Sequence, residues 1–552
     1  MAEKRLSREA IARLEVGQTD ISRTLSRVLT IFFLLSIFLV PLMQYWLGEW
    51  NHDELFLTSA GASAGTTFIE RVNSKNKQLL KGMDGFEKGL EEQSFLRDWS
   101  LPPLQYLFMK YLGQGSEKVV AGKDGWLFYR PGVDSLIGQP FLDEQQLTLR
   151  QEGHEIWEKS VQPDPLEAII HFNEQLSQRG IRLLVVPIPI KPSLHPEKLS
   201  ARSYGGRPVN RSWNTFIENL EDSGVASVDV RPLLEQCLRE DGAAFLTTDT
   251  HWLPEAMEKV AKKVSEQILS RGFLVKGDTK LQLQKTLQAG EGDISKMLIF
   301  PQNTALFGEQ EVELHQVLNE ENEFWQPERD SKLLVLGDSF TNIYSATALG
   351  WGFGAGFAEH LSYNLEQPVD LLARNDSGAY VTREMLAAEL ARGRDRLAGK
   401  KVVVWQFAER ELALGNWKRI DLKLVEGAQS DFFVVEAGNM IEVQGTISSI
   451  SRSPRPGSVP YRDNLVTMHL VDVQTNENSE GDGQALVYGL GMKDNNLTSL
   501  SSLRPNDSVT LLLSSWDEIE GQYGSYRRSP LEDEMMELEL PNWGMIKDEK
   551  AN

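Results

Sequence analysis

Lys332-Leu-Leu-Val-Leu-Gly-Asp-Ser-Phe340 is the stretch on which the reading of this chain turns. Leu333 to Leu336 are apolar without alternation, the pattern of a strand covered on both faces, as in a parallel sheet. Gly337 and Asp338 break the strand and deliver Ser339 into the start of a helix. A serine so placed stands at the carboxyl edge of the sheet, where open α/β sheets bind ligands. The helix N-terminus there turns backbone N–H groups toward a developing oxyanion.

Such a serine needs a base. Thr247-Thr-Asp-Thr-His-Trp252 is the dense acid–histidine cluster among the chain's 8 histidines. Asp249 and His251 are two apart, so in extended chain they share a face. The expected roles are Ser339 as nucleophile, His251 as its base and Asp249 holding the imidazole in the right tautomer. The bland alternatives are an ordinary Gly-Asp-Ser turn and a helix cap followed by a buried aromatic. The surrounding strand context favours catalysis.

The flanking elements alternate. Helices are expected over 163–180, 208–222, 232–239, 254–271 and 382–396, and strands over 181–190, 226–230, 369–373 and 401–407. That alternation predicts a doubly wound parallel sheet. Asn375 and Tyr380 then fall at the carboxyl edge as candidates for the oxyanion or substrate, with turn chemistry or core packing as the alternative. Arg410, just past the last strand, is a candidate to bind acceptor or donor, against a structural ion pair. The glycine-rich run Gly350-Trp-Gly-Phe-Gly-Ala-Gly-Phe357 lacks the lysine of a phosphate loop and is read as a close-packed or mobile segment beside the nucleophile, with Trp351 the candidate to meet a sugar face. Trp252 is expected to pack against the three site residues. Residues 272–330 carry no legible motif.

Asp-Thr-His-Trp252 followed further on by Gly-Asp-Ser-Phe340 resembles the SGNH-hydrolase-like polysaccharide O-acetyltransferases of the AlgJ/AlgX kind, which serve alginate and exopolysaccharide acetylation. In ordinary SGNH esterases the two blocks come in the opposite order. Val119-Val-Ala-Gly-Lys-Asp-Gly-Trp-Leu-Phe128, Val186-Pro-Ile-Pro-Ile-Lys-Pro192 and Val404-Trp-Gln-Phe-Ala-Glu-Arg410 agree with that likeness. It covers residues 115–415 and implies an SGNH-like (flavodoxin-like) fold, an acetyl-serine intermediate, a polysaccharide acceptor and a polytopic membrane acyltransferase (MBOAT-like) supplying acetyl groups. The glycine and asparagine blocks that form the esterases' oxyanion hole find no clean match here.

Composition bounds the partners. A net charge of −22 with no basic stripe argues against nucleic acid and disfavours a highly anionic polymer. The single cysteine, Cys237, excludes an internal disulfide. No histidine pair or Cys–His spacing suggests a metal, and no cofactor is inferred.

Val28 to Leu47 is free of charge and long enough to span a hydrocarbon core. Arg23 and Arg27 precede it and Glu49, Asp53 and Glu54 follow, which puts the N-terminus in the cytoplasm. The expected organisation is a cytoplasmic 1–27, a transmembrane signal anchor 28–47, a helical stalk 48–114 closed by Leu101-Pro-Pro103, an α/β domain 115–423 and a β-rich domain 424–552. Given the family resemblance, the place is a bacterial inner membrane, crossed once, with the α/β domain in the periplasm. In the tail, runs over 431–435, 440–447, 465–473, 485–488 and 508–514 predict a small all-β module, OB-like or a sandwich. Trp516, Tyr523 and Trp543 are its candidate sugar contacts. Three functions compete: a polysaccharide O-acetyltransferase, a carbohydrate acetylesterase with water as acceptor, and a noncatalytic polysaccharide-binding or assembly protein.

Overall fold

The computed structural model describes residues 22–47, 94–153, 160–200, 206–301, 306–375, 378–425, 432–454, 461–475, 483–524, 526–531 and 539–547, with scattered positions besides. One unit comprises Met1–Leu104 with Glu155–Glu158, the other Gln105–His154 with Lys159–Asn552. In the first, Arg23–Leu47 is a 25-residue helix. Its described side chains, through Leu35 and at Phe38, are exposed. No helix among the described residues is long and apolar enough to cross a membrane. The stalk expected over 48–114 lies largely outside the described residues. Its expected end at the prolines is corrected: helix Phe95–Leu107 carries Pro102 and Pro103 inside it. The stop comes at Gly113, whose φ of 59° suits a residue without Cβ.

The second unit begins with a ribbon of β1 (Val119–Ala121) and β2 (Leu127–Tyr129), paired antiparallel. Then come α1 (Pro165–Gln178), β3 (Arg182–Ile188), α2 (Trp213–Asp222), β4 (Ala226–Ser227), α3 (Arg231–Asp241) and α4 (Pro254–Ser270). A hairpin of β5 (Gln282–Gly290) and β6 (Gln310–Leu318) follows, in a region without legible motif. The chain continues with β7 (Leu333–Gly337), α5 (Ser339–Asn342), α6 (Phe357–Leu365), β8 (Asp370–Ala373), α7 (Val381–Ala391) and β9 (Val402–Ala408).

Five of these strands form one parallel sheet in the order β4-β3-β9-β7-β8. Both faces are covered, and the strand alternation shows how. Leu184, Val186, Val335, Val402 and Val404 enter the core beneath α4 and α6. Leu183, Val185, Leu334, Val403 and Trp405 enter the opposite core with α1, α2 and α7. Unbroken apolar strands are what a sheet between two helical layers requires. Two expected elements are shorter than the sequence suggests. The strand over 226–230 reduces to two residues, and the helix over 382–396 stops at Ala391 before Gly393, with φ of 79°.

The tail folds as a barrel. Strands β10 (Met440–Ile450), β11 (Asn464–Thr475), β12 (Gly483–Lys493), β14 (Ser508–Ser515) and β16 (Pro541–Ile546) pair in the order β12-β16-β14-β10-β11, and β11 closes back on β12. The pairing of β12 with β16 is parallel and the others are antiparallel. This is the five-stranded Greek-key order of an OB barrel. Two-residue strands β13 (Asn496–Leu497) and β15 (Arg528–Ser529) attach at its margins. The expected strand over 431–435 is only a bridge at Phe432. Helix α8 (Trp516–Tyr523) lies in the connection from β14 to β16.

Candidate active site

Every residue of the strand–turn–helix at β7 has a local reason. A Cβ on Gly337 would sit 2.3 Å from Thr341 Oγ1. The Asp338 carboxylate accepts from the Phe340 N–H at 2.9 Å, capping α5, and from Gln406 Nε2 at 2.9 Å and the Ala408 N–H at 2.8 Å on β9. Gln406 Oε1 in turn accepts from the Asp338 N–H at 3.1 Å and from Thr341 Oγ1 at 2.6 Å. The turn bearing Ser339 is thus bolted to the central strand of the sheet.

His251 Nε2 lies 2.8 Å from Ser339 Oγ, across 88 residues of sequence. On its other side Nδ1 lies 2.6 Å from Asp249 Oδ1. Asp249 Oδ2 accepts from the Asp293 N–H and from the Trp351 indole N–H, each at 2.9 Å. All of Ser339, His251 and Asp249 are buried. For Asp249 burial works against the charged form, but the His251 charge and hydrogen bond, with backbone N–H donors, hold the carboxyl below its usual range. For His251 burial pulls the imidazole down, and the Asp249 charge and hydrogen bond lift it above its ordinary value.

Two further charged groups shape this row, and sequence reasoning did not assign them. The ammonium of Lys191, 3% exposed, donates to the carbonyl oxygens of Leu127 at 2.7 Å, Thr247 at 2.8 Å and Asp249 at 2.9 Å. It also stands 5.0 Å from the centroid of Trp126. Three of the stretches that carry the family likeness therefore meet at one nitrogen. Burial draws Lys191 down to about 7, with Asp249 and Asp293 acting in the opposite sense.

Asp293 accepts from the Thr250 N–H at 2.7 Å, and its other oxygen lies 3.9 Å from His251 Nδ1. Burial and the neighbouring Asp249 push it up to about 7. The available signal was Gly290-Glu-Gly-Asp293. A Cβ on Gly292 would meet the Thr248 carbonyl oxygen at 2.1 Å, so the backbone reaches Asp249 only through glycine. Asp249, His251 and Asp293 bring ligand atoms within 4.8 Å of one another. Of this set, His251 Nδ1 and both Asp249 oxygens are engaged by the hydrogen bonds just given.

The other site candidates separate. Arg410 lies near the row, its guanidinium 6.0 Å from the Phe340 ring centroid and 5.5 Å from that of Tyr129. Its Nε also stands 3.7 Å from Glu411 Oε1, and the neighbouring Glu409 pairs with Arg231 at 2.7 Å. Asn375 is buried and accepts from Asn342 Nδ2 at 3.1 Å, at the far end of α5 from Ser339. The ring of Tyr380 lies 4.3 Å from the Lys418 ammonium. Trp351 is corrected. It is fully buried, so no face of it meets a sugar, and its indole N–H orients Asp249. Trp252 is fully buried edge-on to Phe340. Of the barrel aromatics Trp543 is buried, Tyr523 stacks on it at 4.5 Å and Trp516 packs on the same cluster, the latter two staying partly exposed.

A carboxylate, an imidazole and a serine hydroxyl in one hydrogen-bonded row, at the carboxyl edge of a parallel sheet, define a hydrolase-like α/β class equipped to move a proton off the serine. Residues 119–409, more than half of the chain, match the family described as SGNH hydrolase-like domain, acetyltransferase AlgX, and the chain belongs to that family. It is 30% identical over 155 residues to the probable alginate O-acetylase AlgJ of Pseudomonas aeruginosa, covering 28% of this chain and 34% of that protein. With the probable alginate O-acetylase AlgJ of Azotobacter vinelandii it shares 24% identity over 253 residues, covering 44% of this chain and 57% of the relative. These matches span about a third to just over half of the relatives' length. Among solved structures, the O-acetyltransferase domain of Pseudomonas putida AlgJ aligns with a TM-score of 0.41 and 22% identity, over 54% of this chain and 93% of that one. Pseudomonas aeruginosa AlgX aligns with a TM-score of 0.40 and 15% identity, over 71% and 89%.

Proposed function

We propose that this chain is a polysaccharide O-acetyltransferase that works through an acetyl-Ser339 intermediate. The observation that carries the reading is the unbroken row from Ser339 Oγ through His251 to Asp249, with spacings of 2.8 and 2.6 Å. His251 Nε2 takes the hydroxyl proton as Ser339 Oγ bonds to the acetyl carbonyl carbon. The proton passes to the departing donor oxygen as its bond to that carbon breaks. A sugar hydroxyl then gives its proton to His251 and takes the acetyl group, and Ser339 regains its proton. Asp249 keeps Nδ1 protonated and steadies the imidazolium. The Ser339 N–H is the first donor to the oxyanion, with Asn375 and Tyr380 the candidates for the second. Arg410, beside Phe340, is the candidate to hold donor or acceptor. The enclosure of all three row residues supports transfer over acetylester hydrolysis, because a sugar hydroxyl must outcompete water.

The acceptor in this reading is an exported polysaccharide, and acetyl groups come from a polytopic membrane acyltransferase. The uncharged run Val28–Leu47 within helix Arg23–Leu47 supports a single-pass anchor in a bacterial inner membrane, with the α/β domain in the periplasm. Fractionation of the full chain against one lacking the first 47 residues tests the anchor: release of both, or of neither, sinks it. For the chemistry, the full chain is given p-nitrophenyl acetate with and without oligosaccharide. Wild type is expected to carry acetyl on Ser339 by mass spectrometry and to pass it to sugar. Ser339→Ala should lose at least about a thousandfold in rate. Acetylated sugar formed equally well by Ser339→Ala excludes this mechanism, and acetate release without any acetylated sugar favours the esterase.

A further inference from the structure

A cavity of about 650 Å³ opens where the α/β body meets the barrel. One wall is β8 and the segment Asn342–Thr347, which runs on directly from Ser339. Asn342 closes the same helical turn that Ser339 opens, so the cavity begins about one 5 Å pitch from the nucleophile. The opposite wall is α8, within the connection from the fourth to the fifth barrel strand. In OB barrels that connection is among the surfaces that bind oligosaccharides and oligonucleotides.

The lining combines an aromatic ledge with buried polar groups. Phe324 and Phe353 meet edge to face at 4.6 Å and stay 37% and 40% exposed, which leaves apolar area for the CH face of a pyranose. Glu359, 3% exposed, lines the cavity with Ser345 Oγ beside its carboxyl group. A sugar hydroxyl or ammonium entering the cavity would add a donor to this buried acceptor.

Charge selects among glycans. Of the described lining residues only Arg329 and Arg396 are cationic, and both are already neutralised. Arg329 pairs with Glu389 at 3.2 Å and Glu520 at 3.3 Å, and Arg396 with Asp370 at 2.7 Å. Glu518 adds negative charge to the wall, and Asp517 is taken up by Arg394. A polyuronate would enter against like charges with no free cation to receive it.

We propose that this cavity is the acceptor subsite, and that it takes a glycan free of carboxylate groups, uncharged or amino-bearing. The acceptor role rests on the acyl-transfer reading above, whereas the binding preference does not. The test is calorimetric titration of the full chain carrying Ser339→Ala with three probes: cello-oligosaccharide, chitosan oligosaccharide and oligomannuronate. One of the first two is expected to bind at least about tenfold more tightly than oligomannuronate. Glu359→Gln and, independently, Phe353→Ala should each weaken that binding by about tenfold. Tightest binding of oligomannuronate, no binding of either carboxylate-free probe, or undiminished binding in both variants overturns the proposal. A p-nitrophenyl acetate burst from wild type reads acylation without any glycan. A Ser339-dependent burst beside absent glycan binding removes the subsite alone. Glycan binding without a burst removes acyl transfer and leaves the subsite standing.

Discussion

At the scale of the residue, the pair Asp249 and Asp293 controls the pH behaviour of His251. In the proposed mechanism the neutral imidazole is the base, so acetyl transfer should be present above the His251 pKa and lost as pH falls through it. That pKa lies above 6.5, lifted by Asp249 and further by Asp293 against the pull of burial. Asp293→Asn removes one lifting charge, and its amide oxygen can still accept from the Thr250 N–H. The acidic limb of the rate profile should move to lower pH, with the plateau within about tenfold of wild type. Stability should respond too. Asp293 sits 23% exposed, and burial and Asp249 raise it from 3.8 to about 7. The folded state therefore holds the proton more tightly than the unfolded state does. Its contribution to stability is present below pH 3.8 and is lost as pH rises through about 7. Asp293→Asn should melt higher than wild type at pH 8 and converge with it at low pH; a lower melting point throughout contradicts the sign. The Ser339, His251 and Asp249 positions were legible because each rests on local spacing and strand context. Lys191 was not, because its three partners are backbone carbonyls that no side-chain pattern announces. For Trp351 the close-packed reading of its glycine-rich run held and the sugar-facing one did not. Strand β5 ends against Trp351, and a Cβ on Gly290 would strike its ring at 2.7 Å.

At the scale of the element, the nucleophile turn depends on two strands. Gly337→Ala would force a methyl against Thr341, part of the Gln406 clamp. The variant should lose about 1–3 kcal/mol in urea denaturation, with a fall in rate as Ser339 shifts. Unchanged stability and rate would mean that Thr341 can turn away freely. The parallel strands could be read in advance because Leu333–Leu336 and Val402–Val404 are unbroken apolar runs. The hairpin β5–β6 could not. Its first strand, Gln-Leu-Gln-Lys-Thr-Leu-Gln-Ala-Gly290, is mostly exposed, and its partner lies beyond a long connection. Strand β16 was hidden by its proline, asparagine and glycine, residues that usually mark turns. Its Asn542 is nonetheless fully buried, donating to the Phe433 carbonyl oxygen at 2.9 Å.

At the scale of the whole molecule, the barrel is held to the α/β body by charge. Arg329 and Arg396 receive Glu520, and Arg394 receives Asp517, all across the α8 contact. Glu520→Lys should turn attraction into repulsion at partly buried guanidinium groups, at a cost of about 1–3 kcal/mol. Calorimetry should then resolve separate melting of the two bodies, and proteolysis should cut between them; a single undisturbed transition would mean that apolar contacts suffice. The barrel itself was foreseeable from alternating strands, but its docking was not, since ion pairs so far apart in sequence leave no local trace. The sheet order carries one more consequence. The strand at the centre, β9, is the last of the five to be synthesised, and it supplies Gln406 and Ala408 to the turn that aims Ser339. A nascent chain that has emerged only as far as the serine holds its nucleophile without the clamp that orients it. On the proposed mechanism, the reactivity of Ser339 would wait on completion of the sheet.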